Sequence, residues 1–431
     1  MKTLTADGRL LFVTRMARLF AYGFLAVVLV LYLAQAGLSE ASIGLLLTLT
    51  LIGDTVISLW LTTRADRLGR RRTLILGTVL MIFAAAFFAN TQEFIPLLIA
   101  ATIGVISPSG NEVGPFLSVE QAALSQIVPD RERTHVFAWY NLVGSFATAF
   151  GALCGGGLAQ LLQNSGMTPL NSYRAIVIGY GLMGLLLLLI FARLSPKVEA
   201  PSHALARSLP RSHARRPTGA KRQTWATART GEGNLLGLHR SRRVVFKLSA
   251  LFSLDAFAGG FVVSSFVAYW FNVRYGAEPG ALGVIFFAAN ILAGVSALLA
   301  ARLARRFGLI NTMVFTHIPS NVLLILVPLM PTLPLAVLVL LLRFSISQMD
   351  VPTRQSYTMA VVDPDERSAA AGVAGVARTT GAAISPSITG ALLSYPALLN
   401  VPFYLAGGLK IVYDVLLYRS FRSTRPPEER V

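Results

Sequence analysis

The sequence has little charge and almost no cysteine. Only 13% of its 431 residues are charged, 54% are hydrophobic, and Cys154 is the single cysteine. A soluble domain carries about a quarter charged residues, so this composition excludes the ordinary soluble globular class. One cysteine within an apolar stretch allows no disulfide framework and indicates no redox compartment.

The sequence also lacks a pattern typical of catalysis or metal binding. Its five histidines are scattered, and none has metal-ligand spacing to a cysteine or a second histidine. No P-loop is present, so ATP does not drive the protein directly. We therefore expect no catalytic residues, no metal site, no cofactor and no enzyme activity. The histidines are His135, His203, His213, His239 and His317.

Long apolar runs dominate the chain instead. Each is roughly 18 to 25 residues long, which suffices to cross about 30 Å of hydrocarbon as a helix. The first run, 19–34, also fits a cleavable signal peptide, but a run of the same shape recurs in mid-chain at 249–270. We therefore predict an all-α membrane protein with twelve spans. They cover about 15–36, 41–63, 72–90, 93–127, 135–162, 173–194, 245–270, 282–301, 310–330, 334–361, 367–394 and 401–418.

The net charge of +18 is unevenly distributed among the loops. Lys and Arg are concentrated in alternate segments between spans and absent from the others, as the positive-inside rule predicts without any nucleic acid. This pattern predicts cytoplasmic termini and an integral plasma membrane protein, of the bacterial inner membrane, in contact with lipid. The basic segments are 64–72, 131–133, 195–247, 302–306 and 419–430, and the non-basic ones are 35–42, 90–93, 331–334 and 395–401.

One short basic loop occurs twice. Residues 62–74 read Thr-Thr-Arg-Ala-Asp-Arg-Leu-Gly-Arg-Arg-Arg-Thr-Leu, and 301–311 read Ala-Arg-Leu-Ala-Arg-Arg-Phe-Gly-Leu-Ile-Asn. Gly69 corresponds to Gly308, and Arg305 stands in place of Asp66. A glycine allows a tight turn that a side chain would penalise. A duplication at this long period indicates two structural repeats.

The first loop resembles the motif between helices 2 and 3 of the major facilitator superfamily, Gly-x-x-x-Asp-Arg/Lys-x-Gly-Arg-Lys/Arg, with Thr62 in place of its first glycine. The resemblance implies twelve transmembrane helices in two six-helix bundles, 1–194 and 245–431, with helices 1, 4, 7 and 10 around a central cavity. It also implies alternating access and a latch between the basic loops in the outward-open state. The latch residues are Asp66, Arg67, Gly69, Arg70, Arg71, Arg306 and Gly308.

The segment between the two halves has a different composition. Residues 195–244 are rich in Ser, Pro, Arg and His and poor in apolar residues, which predicts a mostly disordered cytoplasmic linker. It is either solvated or in contact with anionic headgroups.

The fourth span is interrupted. Residues 107–115 read Ser-Pro-Ser-Gly-Asn-Glu-Val-Gly-Pro, which must kink or break a helix. Such a break within a membrane is tolerated where it lines a cavity or is covered by protein. The tenth span repeats the feature weakly around Pro352, and both spans run on to a Pro-Asp turn.

Several ionisable residues lie inside predicted spans, where they usually face a cavity or a partner. Asp350 and Arg354, and Lys410 and Asp414, are four apart and can pair on one helix face. Glu112, Glu120 and Asp255 have no obvious local partner. The candidate proton-coupling or substrate residues are Glu112, Glu120, Asp255, Asp350, Arg354, Arg378, Lys410 and Asp414.

We expect Glu112 to carry the proton, with Asp255 opposite it in span 7, because a buried unpaired carboxyl titrates near neutral pH. The alternative is that arginines of spans 10 or 11 pair with these carboxylates. Arg378 is either such a partner or an anchor for an anionic substrate.

Span 5 carries Gly151, Gly155 and Gly156, which resemble a glycine motif of the superfamily's proton antiporters. We therefore predict a monomeric secondary transporter that exports a small organic solute in exchange for protons. The alternatives are a proton symporter importing an anionic metabolite and, from another class, a ligand sensor or scaffold that does not transport.

Overall fold

The computed structural model describes residues 5–128, 130–199, 238–363 and 366–422. Most of the predicted linker, 200–237, lies outside these ranges. The described part of the first half contains eight α-helices. They are α1 (Ala6–Ala26), α2 (Leu29–Gln35), α3 (Glu40–Leu68), α4 (Arg70–Asn90), α5 (Phe94–Ile103), α6 (Phe116–Ile127), α7 (Asp130–Asn164) and α8 (Pro169–Ala192).

The described part of the second half repeats this order of helices. They are α9 (Arg242–Gly260), α10 (Ser264–Tyr275), α11 (Pro279–Phe307), α12 (Leu309–Leu326), α13 (Leu333–Phe344), α14 (Asp350–Ala360), α15 (Arg367–Leu393) and α16 (Val401–Phe421).

These helices form twelve segments that correspond to the twelve predicted spans. Eight segments are long and apolar enough to cross a membrane, and the bent pair α1 and α2 makes a ninth. The other three are α5 with α6, α13 with α14, and α15. The all-helical membrane fold expected from the sequence is therefore confirmed.

The first span begins earlier than its apolar run suggested. Thr5 caps α1 by accepting a 3.2 Å hydrogen bond from the backbone N–H of Gly8. The helix then continues through Arg15 and Arg18, both of which are buried. The two arginines therefore lie within the helix, not at its flank.

The predicted break in the fourth span is confirmed: α5 ends at Ile103 and α6 starts at Phe116. We call residues 104–115 the span-4 break. Side chains from three other helices form hydrogen bonds with backbone groups of this segment that have no partner within a helix. Tyr180 donates to the carbonyl of Val105 at 2.6 Å, and Tyr22 donates to that of Val113 at 3.2 Å. Asp54 accepts from the N–H of Gly114 at 2.6 Å. The break is thus covered by protein.

The tenth span is interrupted just before Asp350, between α13 and α14. Pro352 is the third residue of α14, where a helix tolerates proline because its first N–H groups have no partner within the helix. The interruption therefore precedes the proline instead of surrounding it.

The two repeated glycines turn the chain as expected. Gly69 has φ of 100° between α3 and α4, and Gly308 has φ of 84° between α11 and α12. Positive φ is readily adopted only by glycine. Because these hairpins carry the arginines, we call this side of the molecule the basic end.

The halves pack alike and meet through small residues. Helices α1 and α7 pack together, as do their counterparts α9 and α15, while α7 packs on α11 and α3 on α15 across the interface. A methyl group at Gly390 would lie 2.7 Å from Cα of Gly44, and one at Gly156 would lie 2.8 Å from Cα of Gly283. These four glycines therefore bring the bundles into backbone contact.

These glycine contacts and several hydrogen bonds close the end opposite the basic end. Tyr269 of α10 donates to Glu40 of α3 at 2.7 Å, and the N–H of Ser387 donates to Thr48 at 2.9 Å. Near the basic end, by contrast, a cavity of about 720 Å³ lies between α3, α9 and α15. Its lining is mostly apolar and includes Leu59, Ser249 and Val373.

Candidate functional site: two buried charge clusters

The first cluster joins α1 to the span-4 break and to α6, the helix that follows it. Arg15 Nη1 lies 2.6 Å from Glu112 Oε1, and Arg18 Nη2 lies 3.0 Å from the same oxygen. Arg18 also pairs bidentately with Glu120, with both N–O distances 2.7 Å. Arg15 and Arg18 can reach the same carboxylate because residues three apart lie on one helix face.

Neutral groups complete this N-half cluster. Glu120 accepts from the hydroxyls of Thr14, at 2.9 Å, and of Tyr140. Arg15 donates to the carbonyl of Tyr140 at 2.8 Å. The side chains of Arg18 and Glu120 are fully buried. Two arginines balance two glutamates, and each charge has partners in good geometry, so the cluster suits a fixed structural role.

The second cluster is centred on Asp255 of α9. Lys410 Nζ lies 2.6 Å from Asp255 Oδ1, while Arg354 and Arg378 approach Oδ2 at 3.0 and 3.4 Å. Arg354 also pairs with Asp350 at 3.0 Å, which confirms the expected pair on α14. One carboxylate is therefore shared by cations from three helices.

A histidine completes this C-half cluster. His317 Nδ1 of α12 lies 2.9 Å from Asp414 Oδ1, and its Nε2 lies 4.0 Å from Asp255 Oδ1. Asn321 donates to Asp414 at 3.1 Å. Three aspartates balance two arginines and one lysine, so a proton on His317 adds one uncompensated positive charge. Histidine is the side chain that most readily changes charge near neutral pH.

The expectation that Glu112, Glu120 and Asp255 lack partners is wrong. The two glutamates pair with Arg15 and Arg18 of α1, which lay within the predicted first span but were not considered as partners. Asp255 pairs with arginines of spans 10 and 11, as the alternative interpretation held. Burial of an unpaired charge costs several kcal/mol, and the fold avoids this cost at all three positions.

Two further expectations need correction. Lys410 and Asp414 share a helix face, but Lys410 pairs with Asp255 and Asp414 with His317. Partners on neighbouring helices are better placed than the residue four positions away. Glu112 and Asp255 also do not share one site, because each is bound within its own bundle.

The sequence analysis missed Arg15, Arg18 and His317 as site residues. A usable signal was present, since an ionisable residue at membrane depth requires a partner. Arg15 and Arg18 are three apart and immediately precede an apolar run, and His317 lies in the middle of span 9.

The basic hairpin of the first half is held within its own bundle. Arg70 Nε lies 2.8 Å from Asp66 Oδ1, and its Nη1 donates to Gln126 at 2.8 Å. The side chain of Asp66 is 65% exposed. Arg71 donates to the carbonyl of Ala192. The closed end of the molecule is the opposite one, so this conformation leaves the predicted latch between the halves untested.

A carboxylate outside the membrane fixes the start of α9. Burial alone would raise the pKa of Glu366, but its hydrogen bonds from the backbone N–H groups of Arg240, His239 and Ser241, at 2.7 to 2.9 Å, lower that pKa to about 2. Glu366 therefore remains ionised throughout the physiological range, and its contribution to stability is lost only as the pH falls toward 2.

Comparison with known proteins agrees with this architecture. The profile of the Major Facilitator Superfamily matches residues 11–386, with a second, overlapping match at 256–431. An uncharacterized membrane protein of Saccharomyces cerevisiae is 31% identical over 424 residues, which cover 96% of this chain and 94% of that protein.

Two more distant proteins are also similar. The quinolone resistance protein NorA of Staphylococcus aureus is 24% identical over 139 residues, or 32% of this chain and 34% of that one. The crystal structure of the nucleoside transporter NupG superposes with a TM-score of 0.70 at 14% identity, covering 97% of this chain and all of that chain. At that identity the likeness concerns the fold alone.

Proposed function

The chain belongs to the Major Facilitator Superfamily and carries a small solute across a membrane, and we propose that it does so as a proton-coupled exporter. The observation that carries the proposal is the C-half cluster. His317 contacts Asp414 and approaches Asp255, the carboxylate shared by three cations. A proton arriving there changes the charge of a cluster that joins five helices of one bundle.

The coupling follows from charge balance. Without a proton on His317, the cations and aspartates of the cluster balance. Protonation strengthens the attraction of the imidazole for Asp414 and Asp255, and so weakens the hold of Asp255 on the most loosely bound cation, Arg378. Since α15 carries Arg378 and also packs against α3 of the other bundle, the proton can bias the contact between bundles.

Three features support export. The glycines of α7 allow the close packing expected of the antiporter-like motif, since methyl groups at Gly151 and Gly155 would lie 2.0 and 2.1 Å from carbonyl oxygens of α1. NorA, which shares a 139-residue region of similarity, is described as a quinolone resistance protein. If the basic end faces the cytoplasm, the cavity near that end opens toward cytoplasmic solutes.

The second candidate is a symporter that imports an organic anion. It is favoured by Arg378, whose side chain is 35% exposed and lies 3.4 Å from Asp255. Arg354 and Lys410, by contrast, are buried and closely paired. An anion could therefore bind Arg378 without first breaking a tight ion pair.

Inverted membrane vesicles test the proposal. A panel of fluorescent organic solutes, including a quinolone and an aromatic carboxylate, is added with and without a preformed pH gradient. Export predicts accumulation that requires an acidic lumen and collapses with a protonophore, beside vesicles that lack the protein. The pH of the medium after solute addition distinguishes exchange from symport. Exchange releases lumenal protons and acidifies the medium, whereas symport carries protons from the medium into the lumen with the solute and makes the medium more alkaline. Equal accumulation with and without the pH gradient would contradict proton coupling.

A further inference from the structure

Asp54 of α3 differs from the other carboxylates deep in the described spans. Glu112, Glu120, Asp255 and Asp350 pair with arginine or lysine, and Asp414 pairs with His317. Among the described residues, no cation lies within ion-pair distance of Asp54. Its Oδ1 accepts from the N–H of Gly114 at 2.6 Å and from the hydroxyl of Ser58 at 3.2 Å.

The N–H that Asp54 holds belongs to the span-4 break. Gly114 has φ of 79°, a left-handed conformation that glycine adopts readily, and it lies two residues before α6 begins. A hydrogen bond to a charged acceptor is roughly twice as strong as one between neutral groups. Ionised Asp54 therefore fixes the exit of the break, and a neutral carboxyl holds it less firmly.

The same break contacts the other bundle. The N–H of Ser265 donates to the carbonyl of Pro108 at 3.1 Å, and the hydroxyl of Ser264 donates to that of Ser109 at 3.0 Å. Both serines open α10, at the interruption of span 7. The break thus joins Asp54 on one side to the contact between halves on the other.

We infer that Asp54 is a proton-responsive switch that sets which end of the transporter is closed. When it is ionised, it holds the span-4 break against α10, and the end opposite the basic end stays closed. Protonation loosens the break and favours the conformation closed at the basic end. The inference rests on the proposed proton coupling and adds a site in the N-half that is distinct from His317.

Other groups near Asp54 do not supply the same response. Glu112 faces it from the break but is ion-paired with Arg15 and Arg18. Tyr22 of α1 and Tyr180 of α8 also face Asp54, and both donate to carbonyls of the break. Phenols ionise near pH 10 in water, so Asp54 is the group of this set that is neither a phenol nor paired with a cation.

The test measures conformation and needs no substrate. Spin labels at L68C and F307C, one on each basic-end hairpin, are introduced into full-length C154A protein in lipid nanodiscs. Leu68 and Phe307 are exposed, and each immediately precedes the repeated glycine of its hairpin. Between about pH 8.5 and about pH 5.5, we expect the ratio of short-distance to long-distance populations to rise about tenfold or more, within the limit set by one titrating proton.

Substitution of Asp54 decides the outcome. D54N, a neutral mimic, should favour the short distance at both pH values, and the ratio should change several-fold less than in the parent protein, since only the response of His317 remains. D54E should restore pH dependence with a displaced midpoint, which separates titration from misfolding. E93Q, at an exposed carboxylate of the opposite end, should behave like the parent protein.

Two results would overturn the inference: a full pH response in D54N, or no response in the parent protein. The vesicle assay distinguishes this from failure of the proposed function. If export depends on the gradient but D54N keeps the parent's pH-dependent change in distance, the protein is a proton-coupled exporter and Asp54 is not its switch. A response confined to Asp54 without gradient-driven export would remove proton coupling but leave the switch.

Discussion

The two halves of this transporter share one plan of helices but use their buried charges differently. In the N-half cluster, two arginines and two glutamates are saturated by each other and by neutral donors. In the C-half cluster, three cations compete for Asp255, and a histidine stands between two aspartates. The duplicated fold therefore constrains helix packing much more than the chemistry in each bundle.

The contrast suggests a division of labour. Arginine and ionised glutamate keep their charges near neutral pH, so the N-half cluster is a rigid support for the span-4 break. The C-half cluster instead places His317 between two aspartates. The N-half cluster thus suits holding the geometry of the break, and the proposed responses to protons are assigned to groups outside it, His317 and Asp54.

The largest expected effect is on stability, from E120Q. This change leaves fully buried Arg18 with only Glu112 as an anionic partner. Loss of one partner from a buried pair costs about 3–5 kcal/mol. Thermal unfolding of the detergent-solubilised protein should show a markedly lower midpoint.

Two controls sharpen this result. The double variant R18M/E120M keeps the remaining charges balanced and should recover most of the lost stability. D350N in the C-half should be milder, because Arg354 keeps Asp255. If E120Q unfolds at the same temperature as the parent protein, the N-half cluster is not the rigid support described here.

The next effect is on coupling, from H317Q. Glutamine can still donate to Asp414 but cannot carry the proton, so the stability change should be about 1 kcal/mol. Gradient-driven export should fall roughly tenfold, with a flattened dependence on pH. Export rates in vesicles across a pH series measure both. H239Q is the matched control, since His239 is 45% exposed and outside the spans. If H317Q kept the pH profile of the parent protein, His317 would not be the proton-coupling residue.

Much of the fold could be predicted from the sequence because its signals are local. Apolar run length gave the spans, Gly69 and Gly308 gave the hairpins, and the dense prolines and glycines of 107–115 gave the break. The contacts of Gly44 with Gly390 and of Gly156 with Gly283 could not be predicted, because they depend on how the two halves pack.

The ion pairs could not be predicted in the same way, because they depend on which helices become neighbours. Arg18 is 102 positions from Glu120, and Lys410 is 155 positions from Asp255. Spacing along one helix suggested Lys410 with Asp414, but tertiary packing offered each a better partner. Arg15 and Arg18 lay inside the predicted first span, but nothing local indicated that they would pair with Glu112 and Glu120.

A smaller effect is expected from D66N in the predicted latch. Asp66 pairs with Arg70 in the present conformation, and we expect it to support the contact between halves when the basic end closes. A surface contact worth about 1 kcal/mol changes a two-state population about fivefold, so export should fall by about that factor without loss of membrane insertion. R305Q, at the corresponding position of the second half, is the control. Equal export by D66N and the parent protein would contradict a latch role for Asp66.

The smallest effect on stability is expected from R378Q, and it bears most directly on the alternative function. The Arg378 side chain is 35% exposed and approaches Asp255 at 3.4 Å, so its loss should change unfolding by about 0–1 kcal/mol. R354Q should cost more, because that side chain is buried between Asp255 and Asp350. If Arg378 also anchors an organic anion, R378Q should raise the KM for an aromatic carboxylate while leaving that for a matched neutral amide unchanged. Equal changes for both solutes would assign Arg378 to the ion-pair network alone and would favour export of uncharged or cationic compounds.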